Sequence, residues 1–183
     1  MFRYIENVFD ETILNRFYNK YFQILDSDLN SHDIWADSAT KNKTLPECFT
    51  SNLTTQERYE LIEYLYSTPT SPFHQDNRIR NCDVAIQKLL PNCSIPKHTD
   101  TCIGSMTVFM NKEYDTSNGG QFVWYDPEVE KVSYSVIPKW NCGVWSYNSG
   151  IEHEVTTVNQ HNRITMQFFI WDNKKDAKVQ VKS

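Results

Sequence analysis

After about Asn81 the chain breaks into short runs rich in β-branched and aromatic residues, each separated from the next by turn residues. The runs are 83–90, 95–100, 102–110, 120–125, 131–137, 143–147, 153–158 and 163–171. Pro91-Asn92, Ser117-Asn118-Gly119-Gly120 and Asn148-Ser149-Gly150 supply turn chemistry between them. Many strands at this spacing predict an antiparallel sandwich or barrel. No helix-length segment interrupts them, which argues against a parallel βαβ sheet.

The first third has a different texture. Asp10 is placed to cap a helix whose apolar stripe runs through Ile13, Leu14, Phe17, Tyr18, Tyr21, Phe22 and Leu25. Thr54 followed by Glu57 is a capping-box signature. It opens a second helix through Tyr59, Leu61, Ile62, Leu65 and Tyr66, stopped near Pro69 and Pro72. The polar stretch 26–52, with Trp35 and Pro46, has no clear period and reads as an ordered loop or short strand region. The expectation is one mainly β domain over 1–183 with N-terminal helices. About 1–80 forms helical support and loops, about 81–172 the β core, and 173–183 a basic tail with Lys174, Lys175, Lys178 and Lys182.

Composition narrows the function classes. A net charge of -5 and a pI near 5.5 argue against a nucleic-acid partner, which needs a concentrated basic face. No apolar run approaches the roughly 20 residues of a bilayer span, so no membrane partner is expected. The first residues carry charge and lack the apolar stretch of a signal peptide. Cys48, Cys82, Cys93, Cys102 and Cys142 are odd in number and irregular in spacing, so reduced thiols and a cytoplasmic location are expected. The sequons at Asn42, Asn52 and Asn92 then carry no glycan.

Chemistry enters with His98-Thr99-Asp100. Residues two apart on a strand share a face, so an imidazole and a carboxylate are presented together. A third ligand from a distant strand completes a two-histidine, one-carboxylate triad, and His153 is placed to supply it. The chain contains a second H-x-D, His74-Gln75-Asp76, in a polar connector after Pro69 and Pro72. Its flanks do not alternate, so it reads as solvated loop. His32 and His161 read as ordinary surface histidines.

Downstream of His98 come Asn111 after a strand, Gly119-Gly120 before a strand, Pro138 and Gly143, then His153 and Arg163. In this order of motifs, over about 83–171, the sequence resembles the iron(II)/2-oxoglutarate-dependent dioxygenases, particularly the branch of prolyl 4-hydroxylase-like proteins. The resemblance implies a double-stranded β-helix (jelly-roll) core with a metal near its open end. It implies His98, Asp100 and His153 as Fe(II) ligands. It implies Arg163, ten residues beyond His153, as the group that grips the distal carboxylate of 2-oxoglutarate. A guanidinium suits that task because its planar fork meets two carboxylate oxygens at once. Strand alternation puts Arg163, Thr165, Gln167 and Phe169 on one face, so Thr165 is a candidate for a further hydroxyl contact to the co-substrate.

The implied activity consumes O₂ and hydroxylates a C–H bond, with release of succinate and CO₂ and with ascorbate as a supporting reductant. The implied substrate is a peptide or protein side chain, proline among the possibilities, or a small molecule. Asp100 favours hydroxylation, since halogenating relatives carry Gly or Ala there. The chain departs from the family where many relatives place a co-substrate-binding Tyr, because 87–91 contains none. Arg163 stands where prolyl 4-hydroxylases usually have Lys. Cys102, taken as sharing a strand face with Asp100, reads first as a small buried residue, with a place near the metal as the alternative. Trp145 or Tyr147, just upstream of His153, is a further residue expected near the site. The loop 112–118 and the stretch 26–52 are candidate lids. A cupin-like metal protein, which would want a histidine in place of Asp100, and a non-catalytic β-sandwich module are the competing classes. The oligomeric state is left open.

Overall fold

The computed structural model describes residues 2–22, 30–31, 48–126, 131–147 and 151–172. In chain order the elements are β1 (Phe2–Ile5), α1 (Glu11–Phe22), β2 (Asn30–Ser31), β3 (Cys48–Asn52) and α2 (Thr55–Ser67). A 3₁₀ turn (Asn77–Asn81) follows. The remaining strands are β4 (Cys82–Leu89), β5 (Ile95–His98), β6 (Gly104–Phe109), β7 (Phe122–Asp126), β8 (Lys131–Val136), β9 (Gly143–Tyr147), β10 (His153–Val155) and β11 (Arg163–Ile170). The 173–183 tail and most of 26–52 lie outside the described residues.

Two antiparallel sheets form. The larger has the order β1-β9-β6-β11-β4-β3-β2 and the smaller β5-β10-β7-β8. Successive strands from β4 to β7 alternate between the sheets, and β8 to β11 return in reverse alternation, which is the winding of a jelly roll. β1, β2 and β3 extend the larger sheet at its two edges, so the first 80 residues contribute strands as well as helices.

Alternation along the central strands divides the two faces by chemistry. On β11, Ile164, Met166, Phe168 and Ile170 join the main core together with Val84 and Ile86 of β4 and Met106 and Val108 of β6. The helices close over that face with Leu14, Phe17 and Tyr21 of α1 and Leu61, Ile62 and Leu65 of α2. Asp10 accepts a hydrogen bond from the Thr12 amide at 2.8 Å, and the capping box of Thr54 and Glu57 opens α2. The opposite, inward face of β11 carries Arg163, Thr165, Gln167 and Phe169, directed between the sheets.

Two expectations need correction, and one strand has no counterpart among them. Strand β5 ends at His98 and β6 begins at Gly104, so Asp100 and Cys102 lie in the intervening turn and share no strand face. Trp145 and Tyr147 lie on the helix side of β9, where Trp145 packs edge-on against Phe73 at 5.8 Å and against Tyr147 at 4.8 Å. The inward residues of that strand include Val144, which packs with Phe109 and Phe122 between the sheets. The first strand, Phe2–Ile5, was not anticipated. It owes its existence to pairing with β9 from Phe2↔Ser146 to Ile5↔Gly143.

Candidate metal centre

β10 pairs with β5 so that His153 lies directly across from His98. Both rings point between the sheets, 4.4 Å apart. Each histidine has its Nδ1 near a backbone carbonyl two residues upstream: Pro96 O at 2.7 Å for His98, Ile151 O at 3.3 Å for His153. A proton on Nδ1 donated to that carbonyl leaves the Nε2 lone pair facing the pocket, which is the tautomer a metal ligand needs. The turn after β5 brings Asp100 between them, with Oδ1 3.7 Å from His98 Nε2 and Oδ2 3.4 Å from His153 Nε2. One ligand atom from each of the three lies within 4.8 Å of the others.

Burial tunes this group for a cation. Exclusion from water pushes the His98 imidazole down to about 4, helped by the neighbouring His153 and opposed by Asp100 and the Pro96 carbonyl. His98 is therefore neutral at physiological pH, with its lone pair available. Phe122 stacks on His153 at 5.4 Å and fixes the second ring. Two imidazoles and one carboxylate, buried and convergent, suit a divalent first-row ion and match the donor set of non-haem iron sites with open positions.

The same three side chains line a pocket between the sheets. Arg163 is in its wall, with no exposed surface. Its Nε donates to the Gly120 carbonyl at 2.8 Å, and its guanidinium carbon lies 5.4 Å from the centre of the Phe109 ring. Gly120 has φ of 60°, and a Cβ there would come within 2.6 Å of the Tyr114 hydroxyl and 2.9 Å of Arg163 Cδ. Glycine at 120 thus allows both the left-handed turn and the approach of two functional side chains. The rest of the wall is mostly polar on the larger sheet (Gln87, Ser105, Thr107 and Gln167, with Phe169) and apolar elsewhere (Ile95, Phe122, Val155).

Thr165 is fully buried, but it is not among the lining residues; its hydroxyl accepts a hydrogen bond from Gln167 Nε2 at 2.9 Å. Gln167 occupies the pocket wall in front of it. Tyr114 escaped the sequence reading. It enters from the loop 112–118, where a lone aromatic among polar residues was the available signal. Burial raises its phenol, and the charge of Arg163 opposes that rise. The loop itself is pinned: the Asn159 amide donates to Asn118 O at 2.7 Å, and its side chain to Ser117 O at 2.9 Å. His74 and His161 are exposed, and Cys102 is buried.

No protein-family model matches the chain. No curated protein sequence matches it either. Solved structures do. A prolyl hydroxylase from Trichoplax adhaerens, determined with a peptide fragment of the hypoxia inducible factor oxygen degradation domain, aligns at a TM-score of 0.69 and 12% identity, over 100% of this chain and 87% of that one. A Pseudomonas putida prolyl-4-hydroxylase aligns at 0.65 and 12% identity, over 94% and 92%. A Burkholderia pseudomallei oxidoreductase of the 2OG-Fe(II) oxygenase family aligns at 0.64 and 17% identity, over 94% and 88%. The chain thus has the fold of the iron(II)- and 2-oxoglutarate-dependent oxygenases, with the prolyl hydroxylases among its structural neighbours.

Proposed function

We propose that the chain is an iron(II)- and 2-oxoglutarate-dependent dioxygenase that hydroxylates a C–H bond. The observation that carries this reading is one pocket holding both a buried His-Asp-His cluster and a buried arginine. A metal-binding protein of the cupin type has no use for Arg163, and a simple binding module has no use for the triad. When bound, iron(II) with 2-oxoglutarate and O₂ supplies oxidative decarboxylation to succinate and CO₂, and transfer of oxygen to the substrate.

The chain's own residues divide the remaining work. His98, Asp100 and His153 hold the ion and, by supplying three ligands, leave its other positions open. Arg163 binds the distal carboxylate of the co-substrate in a site closed to water, where a charge-assisted pair is strong. Tyr114, whose hydroxyl donates to Asn118 O at 3.4 Å, supports the Gly120 turn beside Arg163. Ile95, Phe122, Val155 and Phe169 keep the pocket apolar and exclude water around the reacting groups.

A peptidyl side chain, prolyl in the first instance, is the favoured substrate class, supported by the peptide held by the Trichoplax structural neighbour. A free small molecule is the alternative. Among the described residues no helix is long and apolar enough to cross a membrane. The reading is tested by adding iron(II) and 2-oxoglutarate without oxygen and recording the weak visible charge-transfer band of the chelate. Under air, peptides and amino acids are then screened for stimulated succinate release. Absence of both band and succinate would refute the oxygenase assignment.

A further inference from the structure

The floor of the pocket contains a polar chain that ends on an amide. Gln87 of β4 lies across from Thr165 of β11, and Arg163 lies across from Leu89. Gln87 and Arg163 are thus diagonal neighbours on the inward face of adjacent strands, and both line the pocket. Three hydrogen bonds set the direction of the chain. Thr107 Oγ1 donates to Gln167 Oε1 at 2.7 Å; Gln167 Nε2 donates to Thr165 Oγ1 at 2.9 Å and to Gln87 Oε1 at 3.4 Å. The acceptor end of Gln87 is therefore engaged. Its Nε2, on a residue 1% exposed, has no hydrogen-bond partner among the described residues. A buried N–H group without an acceptor is unfavourable, and native structures rarely keep one without a use. Leu89, two residues along the same face, shows that an apolar side chain is accommodated there.

We propose that Gln87 is a positioning residue for the co-substrate, its side-chain amide donating to a carboxylate oxygen of the 2-oxo acid held between the metal triad and Arg163. The assignment rests on the oxygenase reading of the pocket and deepens it. The arrangement gives the anion a neutral donor whose orientation is locked by Gln167 and Thr107, beside a charged donor that supplies most of the attraction. Locking matters because an amide free to flip would present its oxygen to the anion half of the time.

The test uses the full chain loaded with iron(II) without oxygen. 2-Oxoglutarate is titrated against the charge-transfer band, and manganese(II) binding is followed separately as a metal-only readout. Gln87→Leu is expected to raise the 2-oxoglutarate Kd about tenfold to a hundredfold, with manganese affinity and melting midpoint retained. Gln87→Glu is expected to raise it further, because a carboxylate replaces the donor. If Gln87→Leu lacks a cooperative melting transition, Gln87→Met replaces it with the same expectation. A Kd within about twofold of wild type in the Leu or Met variant, or wild-type affinity in Gln87→Glu, overturns the role of Gln87. A wild-type protein that gives no band at all overturns the oxygenase reading and this assignment with it, so the two failures are distinct.

Discussion

The chain contains one tripeptide pattern twice, and the structure treats the two copies differently. His74-Gln75-Asp76 occupies the connector after α2, where Gln75 has φ of 55° and its amide donates to Tyr66 O at 2.9 Å. His74 is exposed. Asp76 turns away from it to cap the 3₁₀ turn, accepting from the Arg78 amide at 3.0 Å and from the Arg78 guanidinium. His98-Thr99-Asp100 instead straddles the end of β5, with the histidine side chain 4% exposed and the aspartate 9%. A third group arrives because β10 pairs with β5 at His153. What separates a capped turn from a candidate metal centre is therefore not the motif. It is burial, together with a strand register that delivers a partner from 55 residues downstream.

The largest expected effect tests that contrast directly. His98→Ala and His153→Ala should each lower iron(II) or manganese(II) affinity on the order of a hundredfold or more, since loss of a mere supporting contact to a ligand already costs ten- to a hundredfold. Asp100→Ala should abolish hydroxylation. His74→Ala should leave metal affinity unchanged. Equilibrium metal titration of the variants decides it, and a loss at His74 equal to that at His98 would erase the distinction between the two copies.

The next effect concerns the anion end of the pocket. Arg163→Met should weaken 2-oxoglutarate binding by about thirtyfold or more, the usual cost of removing one partner of a buried, hydrogen-bonded charge pair. Manganese affinity should stay near wild type, because Arg163 is on β11 and no triad residue is. Parallel titrations of the two ligands separate the outcomes. Equal loss of both would mean that Arg163 supports the fold of the pocket rather than its ligand.

A smaller effect is read in pH. His98 in the folded protein is held down to about 4 from an ordinary value of 6.5, chiefly by burial. The unfolded chain therefore binds the extra proton first. The stabilisation from the neutral, buried ring is complete above about pH 6.5 and is lost as pH falls towards 4. Metal-free protein should show a falling melting midpoint across that window, and His98→Asn should flatten it.

How much of this was legible in the sequence depends on whether the signal is local. The apolar alternation of β11 is a period-two pattern within eight residues, and it assigns Ile164, Met166, Phe168 and Ile170 to one face and Arg163 to the other. The capping box of α2 is as local. Trp145 misleads for a physical reason: Gly143 to Ser146 is buried on both faces, so the run carries no parity and the pocket side cannot be told from the helix side. Gln87 and Tyr114 were not legible. The first needs the cross-strand register with Thr165, and the second needs the left-handed backbone at Gly120 to bring its hydroxyl towards Arg163. Phe2–Ile5 has no pattern of its own, and its partner β9 lies about 140 residues away along the chain.

The smallest expected effect sits on the other copy of the motif. Asp76→Ala removes the cap of the 3₁₀ turn, worth about 1 kcal/mol in comparable helix starts. It also breaks the pair with Arg78, which is half exposed and adds little in water. The melting midpoint should drop by about 2–4 °C for a chain of this size. Arg78 holds the Asp76 carboxyl below its ordinary value of 3.8, mainly through the side-chain hydrogen bond and against some burial. A carboxylate depressed in the folded state stabilises above its unfolded value and loses that contribution as pH falls through the folded one. The gap between wild type and Asp76→Ala should therefore be full at neutral pH, begin to narrow near pH 3.8, and shrink further as the pH falls through the lower folded value. Metal and 2-oxoglutarate affinities should be untouched, because nothing from this turn lines the pocket. A measurable change in either affinity would mean that the two copies of the motif are energetically coupled through α2 and the larger sheet, and the contrast between them would have to be redrawn as one of degree.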